Sequence, residues 1–132
     1  GQYALPAVGR HEILWVDRAS QKTTATTPVH GQPVFIIAQP ASPYVWVNFA
    51  TPLNDVVQVV DSRSHEVVAT LTPGKAILHM EFAPRGAEVW ISARDDNRVM
   101  IYDTKTREKV GEVAAEAPSG IFFTARAHQT GL

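Results

Sequence analysis

His79, in "ILHMEF", and Arg94, in "WISARDDNR", are the residues whose type and setting best suggest chemistry. An imidazole within an apolar run is a candidate metal contact, or a core or channel-lining histidine whose nitrogens find ordinary partners. A guanidinium at the end of such a run can grip a carboxylate through two parallel hydrogen bonds, or pair with Asp95 or Asp96 beside it. Lys75 and Gln32 stand in Gly- and Pro-containing loops as candidate rim contacts, and Arg126 and His128 follow the last apolar segment. Asn48 occupies the place in its segment that Ser92 occupies later, which favours a structural role over ligand contact. His11 and His30 are further loop candidates, and His65 falls in a polar turn that reads as surface.

No recognised catalytic spacing joins these residues. The chain lacks His-Glu-x-x-His, a calcium-binding loop, a phosphate loop with Lys-Ser/Thr, and Gly-x-Ser-x-Gly, and no histidines sit at a helical metal-binding spacing. Ser119 precedes a glycine without a credible triad. The absence of cysteine excludes disulfides, thiolate nucleophiles, iron–sulfur ligation and covalent heme attachment. A net charge of −1 with scattered lysines and arginines gives no electrostatic reason to expect nucleic acid or an anionic membrane. No apolar run approaches the ~18 residues of a membrane span. The chain opens at Gly1 without methionine, which leaves room for a removed targeting segment or a longer N-terminal part.

The elements that must position these residues emerge from an internal repeat. "EILWVDRASQK", "VVQVVDSRSHE" and "RVMIYDTKTRE" each carry an apolar run ending in Asp and a hydroxyl three residues on. Their aspartates, Asp17, Asp61 and Asp103, are spaced by 44 and 42 residues. Pro40 and Pro84, and Trp46 and Trp90, repeat at the same 44-residue interval, so the two tryptophans are expected to pack between repeats. Within one period the pattern is β: short runs rich in Val, Ile and aromatics, separated by turn chemistry, with no sustained helical periodicity. Four strands are predicted over 77–82, 88–93, 99–103 and 109–113, joined by "APRG", "RDDN" and "DTKT". In the last of these the Asp side chain should bind backbone N–H groups. The preceding period reads as strands at 34–38, 44–49, 56–61 and 67–71.

An antiparallel four-stranded unit recurring every ~40–45 residues is a β-propeller blade. Blades are covered on both faces, which accounts for continuous apolar runs such as "VVQVV". The predicted fold is therefore all-β. It has a partial blade over 11–30 (strands 13–17 and 22–27), complete blades over 33–72 and 76–114, and a closing inner strand within 119–126. These elements do not close a ring of four to eight blades. The chain is expected to be the C-terminal part of a larger propeller, completed by further blades or by self-association.

"HMEFAPRGAEVWISARDDNRVMIYD" resembles the blade motif of the cytochrome d1 heme-domain family, eight-bladed propellers that include cytochrome cd1 nitrite reductase. "APSGIFFTARAHQTGL" and "GQPVFIIAQP…VWVNFATPLNDVVQVVD" are similar to the family's heme d1 biosynthesis branch. The resemblance implies a periplasmic propeller that binds heme d1 or its dihydro-precursor non-covalently. It would act in side-chain maturation of the cofactor for denitrifying nitrite reduction, alongside other d1 biosynthesis proteins or the reductase. The expected ligand contacts are His79, Arg94, Asn48, Lys75, Arg126 and His128, with His79 also the candidate iron contact. The family's axial ligand and catalytic positions in earlier blades have no counterpart here, so the chain alone is expected to be inactive, and whether the whole protein is an enzyme stays open. Two alternatives remain: a non-catalytic scaffold or interaction propeller of the surface-layer repeat type, and the d1 domain of the reductase itself.

Overall fold

The computed structural model describes residues 1–124. Its strands are β1 (Gln2–Pro6), β2 (Glu12–Asp17), β3 (Thr23–Pro28), β4 (Pro33–Ala38), β5 (Tyr44–Phe49), β6 (Val57–Asp61), β7 (Glu66–Leu71), β8 (Ile77–Phe82), β9 (Glu88–Ala93), β10 (Arg98–Asp103) and β11 (Lys109–Ala114). Among the described residues the helical elements are two 3₁₀ turns, Pro84–Gly86 and Arg94–Asp96, which form the "APRG" and "RDDN" connections. The strands form three antiparallel sheets in the orders β1-β2-β3, β4-β5-β6-β7 and β8-β9-β10-β11. The last two are complete propeller blades, the middle blade and the last blade, with β4 and β8 as inner strands.

One expectation is corrected at the chain's start. The first sheet contains β1 as well as the two predicted strands, so this partial blade begins at Gln2 rather than near residue 11. Its five residues end in Pro6 and lack the Asp-anchored turn that marks the repeat, so no local pattern announced it. Ile121–Thr124, expected to close a blade whose other strands lie outside this chain, has no sheet edge here to pair with. A lone strand needs a sheet edge to complete, and local propensity cannot supply one.

The continuous apolar runs are explained by burial on both faces. Along β5 and β6, alternate side chains enter different cores. Val45, Val47, Phe49, Val56 and Val60 pack with Ile13 and Trp15 of the first sheet. Trp46, Val57 and Val59 pack with Met80, Phe82, Val89 and Ile91 of the last blade. Burying a side chain of this size contributes about 1.5–3 kcal/mol, so these inter-sheet layers dominate the cohesion of the stack. Trp46 is fully buried, donates from Nε1 to Gln39 Oε1 at 3.0 Å and meets Phe82 edge-on, as packing between repeats requires.

The repeated aspartates build the same hairpin three times. Asp17 Oδ2 accepts the Ser20 N–H at 2.7 Å. Asp61 Oδ1 accepts that of Arg63 at 2.8 Å, and Asp103 Oδ1 those of Lys105 and Thr106 at 2.8 Å. Hydrogen bonds to the charged form hold each carboxyl below its ordinary range: the Ser20 N–H for Asp17 and the Thr106 N–H for Asp103. For Asp61, the Arg63 guanidinium leads and brings it down to about 2. Four residues after each Asp the backbone turns left-handed, at Gln21 (φ 58°), His65 (φ 60°) and Arg107 (φ 60°), and the adjoining strand pair shifts register. Two of these residues reach back onto the preceding sheet. His65 lies 4.7 Å from the Trp15 ring and Arg107 stacks 4.7 Å over Tyr44. His65, read from sequence as surface, is a half-buried inter-sheet contact.

Candidate functional site

The inner strands carry a shared irregularity that decides what faces the channel side of the sheets. The β4–β5 pairing shifts between Pro33 and Ile36, and the β8–β9 pairing between Ile77 and His79. Such a bulge leaves backbone groups without ladder partners. In the middle blade the Phe35 N–H donates to Asn48 Oδ1 at 3.0 Å. In the last blade the His79 N–H donates to Ser92 Oγ at 3.0 Å, and the Ser92 hydroxyl donates back to the His79 carbonyl at 3.3 Å. Phe35 and His79 are thus equivalent residues of successive blades, re-aimed by the same device.

The consequence is an aromatic and imidazole cluster on the inner strands. The Phe35 and His79 rings meet edge-on with centroids 6.3 Å apart, and the Phe122 ring lies tilted 6.1 Å from His79. Phe35 is 48% exposed and Phe122 80%, an unusual amount of aromatic surface to leave in water. His79 Nε2 is enclosed without a hydrogen-bond partner, with Glu81 Oε2 3.6 Å away. Beside this cluster a cleft of about 330 Å³ opens between the two blades, lined by Val34, Phe35, Asn48, Ile77, Leu78 and Arg94 among others. Its lining mixes these apolar side chains with Asn48, Thr51, Asn54 and Arg94. A second cleft of about 300 Å³, between the first sheet and the middle blade, lies at the opposite end of the strands, around Tyr3, Trp15 and Ser42.

The loops at the His79–Arg94 end mesh as one surface. Ala50 N–H donates to the Gln32 carbonyl, Ile77 N–H to that of Asn54 and Arg94 N–H to that of Ala76. Lys75 N–H donates to Asp96 Oδ2 at 2.8 Å. Gly74 permits this approach, because a Cβ there would lie 2.5 Å from Asp96 Oδ2 and 2.8 Å from Ala93 Cβ. The arrangement leaves the Lys75 ammonium exposed at the rim, without an ion pair among the described residues.

The sequence candidates divide. The structure brings His79 and Arg94 to neighbouring parts of one surface, with Lys75 on the adjoining loop. Arg94 also pairs with Asp95, Nε to Oδ1 at 3.0 Å, but both groups are about half exposed, so the pair is weak and Arg94 can exchange partners. Asn48 lines the cleft, yet it is buried and both ends of its amide are in use: Oδ1 holds Phe35 and Nδ2 donates to the Ile77 carbonyl at 3.4 Å. It is a structural clamp. Gln32 is likewise occupied, accepting from Gly9 N–H and donating to the carbonyls of Ala7 and Pro33. His30 rests against Phe49 with its Nε2 enclosed, and His11 is exposed. Arg126 and His128 lie outside the described residues. Phe35, Phe122 and Glu81 were missed. Phe35 could have been found from the repeat, since it precedes His79 by 44 residues.

Among the described residues no three His, Asp or Glu side chains converge as a metal cluster. The chemistry available is that of one imidazole beside a carboxylate, aromatic rings next to it, and the cations Arg94 and Lys75 on neighbouring loops. This set suits a planar aromatic ligand bearing acidic substituents.

Comparison with known proteins agrees in architecture and lineage. The chain is 47% identical over 131 residues to protein NirF of Stutzerimonas stutzeri and 48% identical over 131 residues to protein NirF of Pseudomonas aeruginosa. Each match covers 99% of this chain, which spans about a third of either relative's length (34% and 33%). The solved dihydro-heme d1 dehydrogenase NirN, in complex with DHE, superposes with a TM-score of 0.80 at 27% identity, over 90% of this chain and 26% of that one. Hydrazine synthase of Kuenenia stuttgartiensis shares the fold with a TM-score of 0.72 at 23% identity, over 83% of this chain and 31% of its own. The model of the cytochrome D1 heme domain matches residues 1–127, and the chain belongs to that family.

Proposed function

We propose that this chain forms one part of a tetrapyrrole cradle in a heme d1-binding propeller of the heme d1 biosynthesis branch. The observation that carries the reading is the convergence of His79, Phe35, Phe122 and Arg94 beside one inner-strand cleft. Identity of 47–48% to the NirF proteins and superposition on NirN, solved with DHE, support the lineage of that surface. The residues suit the ligand: exposed phenylalanine rings match a macrocycle's face, and Arg94 and Lys75 match its carboxylates. His79 offers an imidazole whose Nε2 faces Glu81 and whose Nδ1 makes no hydrogen bond among the described residues. When bound, heme d1 or its dihydro-precursor would supply the iron and the side chains to be matured. This chain's residues would grip the periphery and exclude water from one face, while the rest of the ring comes from other blades. The same reading places the whole protein in the periplasm, with other d1 biosynthesis proteins or the nitrite reductase as partners.

The test is spectroscopic. Titrating the full-length protein that carries this chain with heme d1 or its dihydro-precursor should shift the Soret and red bands at micromolar ligand. His79→Ala should weaken that binding. No spectral change for the unmodified protein would replace this reading with a scaffold propeller.

A further inference from the structure

We propose that Glu81 is a positioning residue for His79: its carboxylate keeps the imidazole proton on Nε2, so that Nδ1 is the electron-pair nitrogen presented to a ligand. The inference rests on the proposed role of the His79 surface and specifies which atom of it acts. Glu81 and His79 are two residues apart on β8, and side chains at that separation share a face of a strand. Their groups approach to 3.6 Å between Nε2 and Oε2, longer than a hydrogen bond and short enough for a small side-chain rotation to close. Nε2 is enclosed, and no other group bonds it. An ionised carboxylate can only accept, so the nitrogen facing it is satisfied only when it carries the proton. A neutral imidazole has one N–H, and Nδ1 is then left as the acceptor.

The surroundings hold that choice in place. Both backbone groups of His79 are bound to Ser92 Oγ, which fixes where the side chain starts. Phe35 and Phe122 both pack near the ring, at 6.3 and 6.1 Å centroid to centroid. Nδ1 makes no hydrogen bond among the described residues, so its lone pair is the part of this cluster still available. A carboxylate behind an imidazole is the arrangement that fixes the tautomer and strengthens the opposite nitrogen as an electron-pair donor. The partner of Nδ1 is an electron-pair acceptor on the tetrapyrrole, either its iron or an acidic proton at its periphery.

Histidine-selective 15N and 13C NMR of the ligand-free full-length protein reads the tautomer, with the His79 signal assigned by its loss in His79→Ala. The unmodified protein should show His79 mainly as the Nε2–H form. Glu81→Gln, whose amide can donate as well as accept, should give a mixture, and Glu81→Asp should retain part of the preference. An unchanged tautomer in Glu81→Gln overturns the proposal, whatever the ligand does. Binding is read separately: Glu81→Gln should weaken tetrapyrrole affinity by about three- to tenfold, the size of one well-placed hydrogen bond or less. An equal loss with the metal-free macrocycle identifies a proton as the partner, and a loss confined to the iron form identifies iron. If the tautomer responds but the unmodified protein binds no tetrapyrrole, the proposed function fails together with the ligand half of this inference, and the pairing of Glu81 with His79 stands alone.

Discussion

Asn48 and Ser92 stand 44 residues apart and perform one task on successive blades, each using a side-chain oxygen to take the N–H that a bulge frees on the adjacent inner strand. Both are buried, so neither hydrogen bond can be replaced by bulk water. Ser92→Ala should cost about 1–3 kcal/mol, the range for leaving a buried polar group unpaired. Asn48→Ala should cost at least as much, because the Ile77 carbonyl loses a donor as well. Urea unfolding of each variant measures this, and a change below ~0.5 kcal/mol in both, the range of an ordinary surface substitution, would show that the bulges do not need their caps.

The left-handed turn residues should respond to glycine with opposite signs. Gln21→Gly relieves a positive φ at an exposed position and should stabilise by about 0.5–1 kcal/mol. His65→Gly and Arg107→Gly relieve the same backbone but remove the contacts to Trp15 and Tyr44, and should be neutral or destabilising. Thermal melts of the three variants compare the two effects directly. A uniform gain at all three sites would mean that the stacking contributes nothing.

Acid should loosen the outer hairpins before it affects the apolar layers. Asp17, Asp61 and Asp103 titrate lower in the folded chain than when unfolded. Their contribution is complete above the unfolded value near 4 and fades as pH falls through the folded values, about 2 for Asp61. Stability measured from pH 5 downward should therefore decline. Asp61→Asn, which keeps an oxygen for the Arg63 N–H but cannot titrate, should flatten that decline. An unaltered pH profile in the variant would assign acid sensitivity to other groups.

Arg94→Ala should separate ligand binding from folding. Its ion pair with Asp95 is exposed on both sides, so stability should change by less than ~0.5 kcal/mol. If the guanidinium holds a tetrapyrrole carboxylate, affinity in the spectral titration should fall about tenfold, with Arg94→Lys recovering only part. Equal affinity in all three proteins would remove Arg94 from the cradle.

What could be read from the sequence followed from repetition. The spacing of Asp61 and Asp103, and of Trp46 and Trp90, locates both complete blades, and "DTKT" announces its own hydrogen bonds. Contacts between sheets were harder to see. His65 reads as a solvated turn residue because nothing local shows that Trp15 lies behind it. The sequence leaves Asn48 open between ligand contact and scaffold, because its partner, the Phe35 N–H, lies on the adjacent strand. Phe35 stands in a continuous apolar run, and the bulge that turns it outward depends on pairing with β5. The loop position of Lys75 and the strand-end position of Arg94 are legible because loops follow directly from the strand order.

The amide of Asn48 also joins two blades, since its Oδ1 serves the middle blade and its Nδ2 the first residue of the last blade's inner strand. Loss of order in one blade therefore withdraws a hydrogen bond from its neighbour as well as an apolar face. Nearest-neighbour coupling of this kind makes the blades melt as one cooperative unit rather than in sequence. The proposed tetrapyrrole surface would span that junction, with Phe35 on one side and His79 on the other, so a ligand held there should add to the same coupling and raise the melting temperature of both blades together.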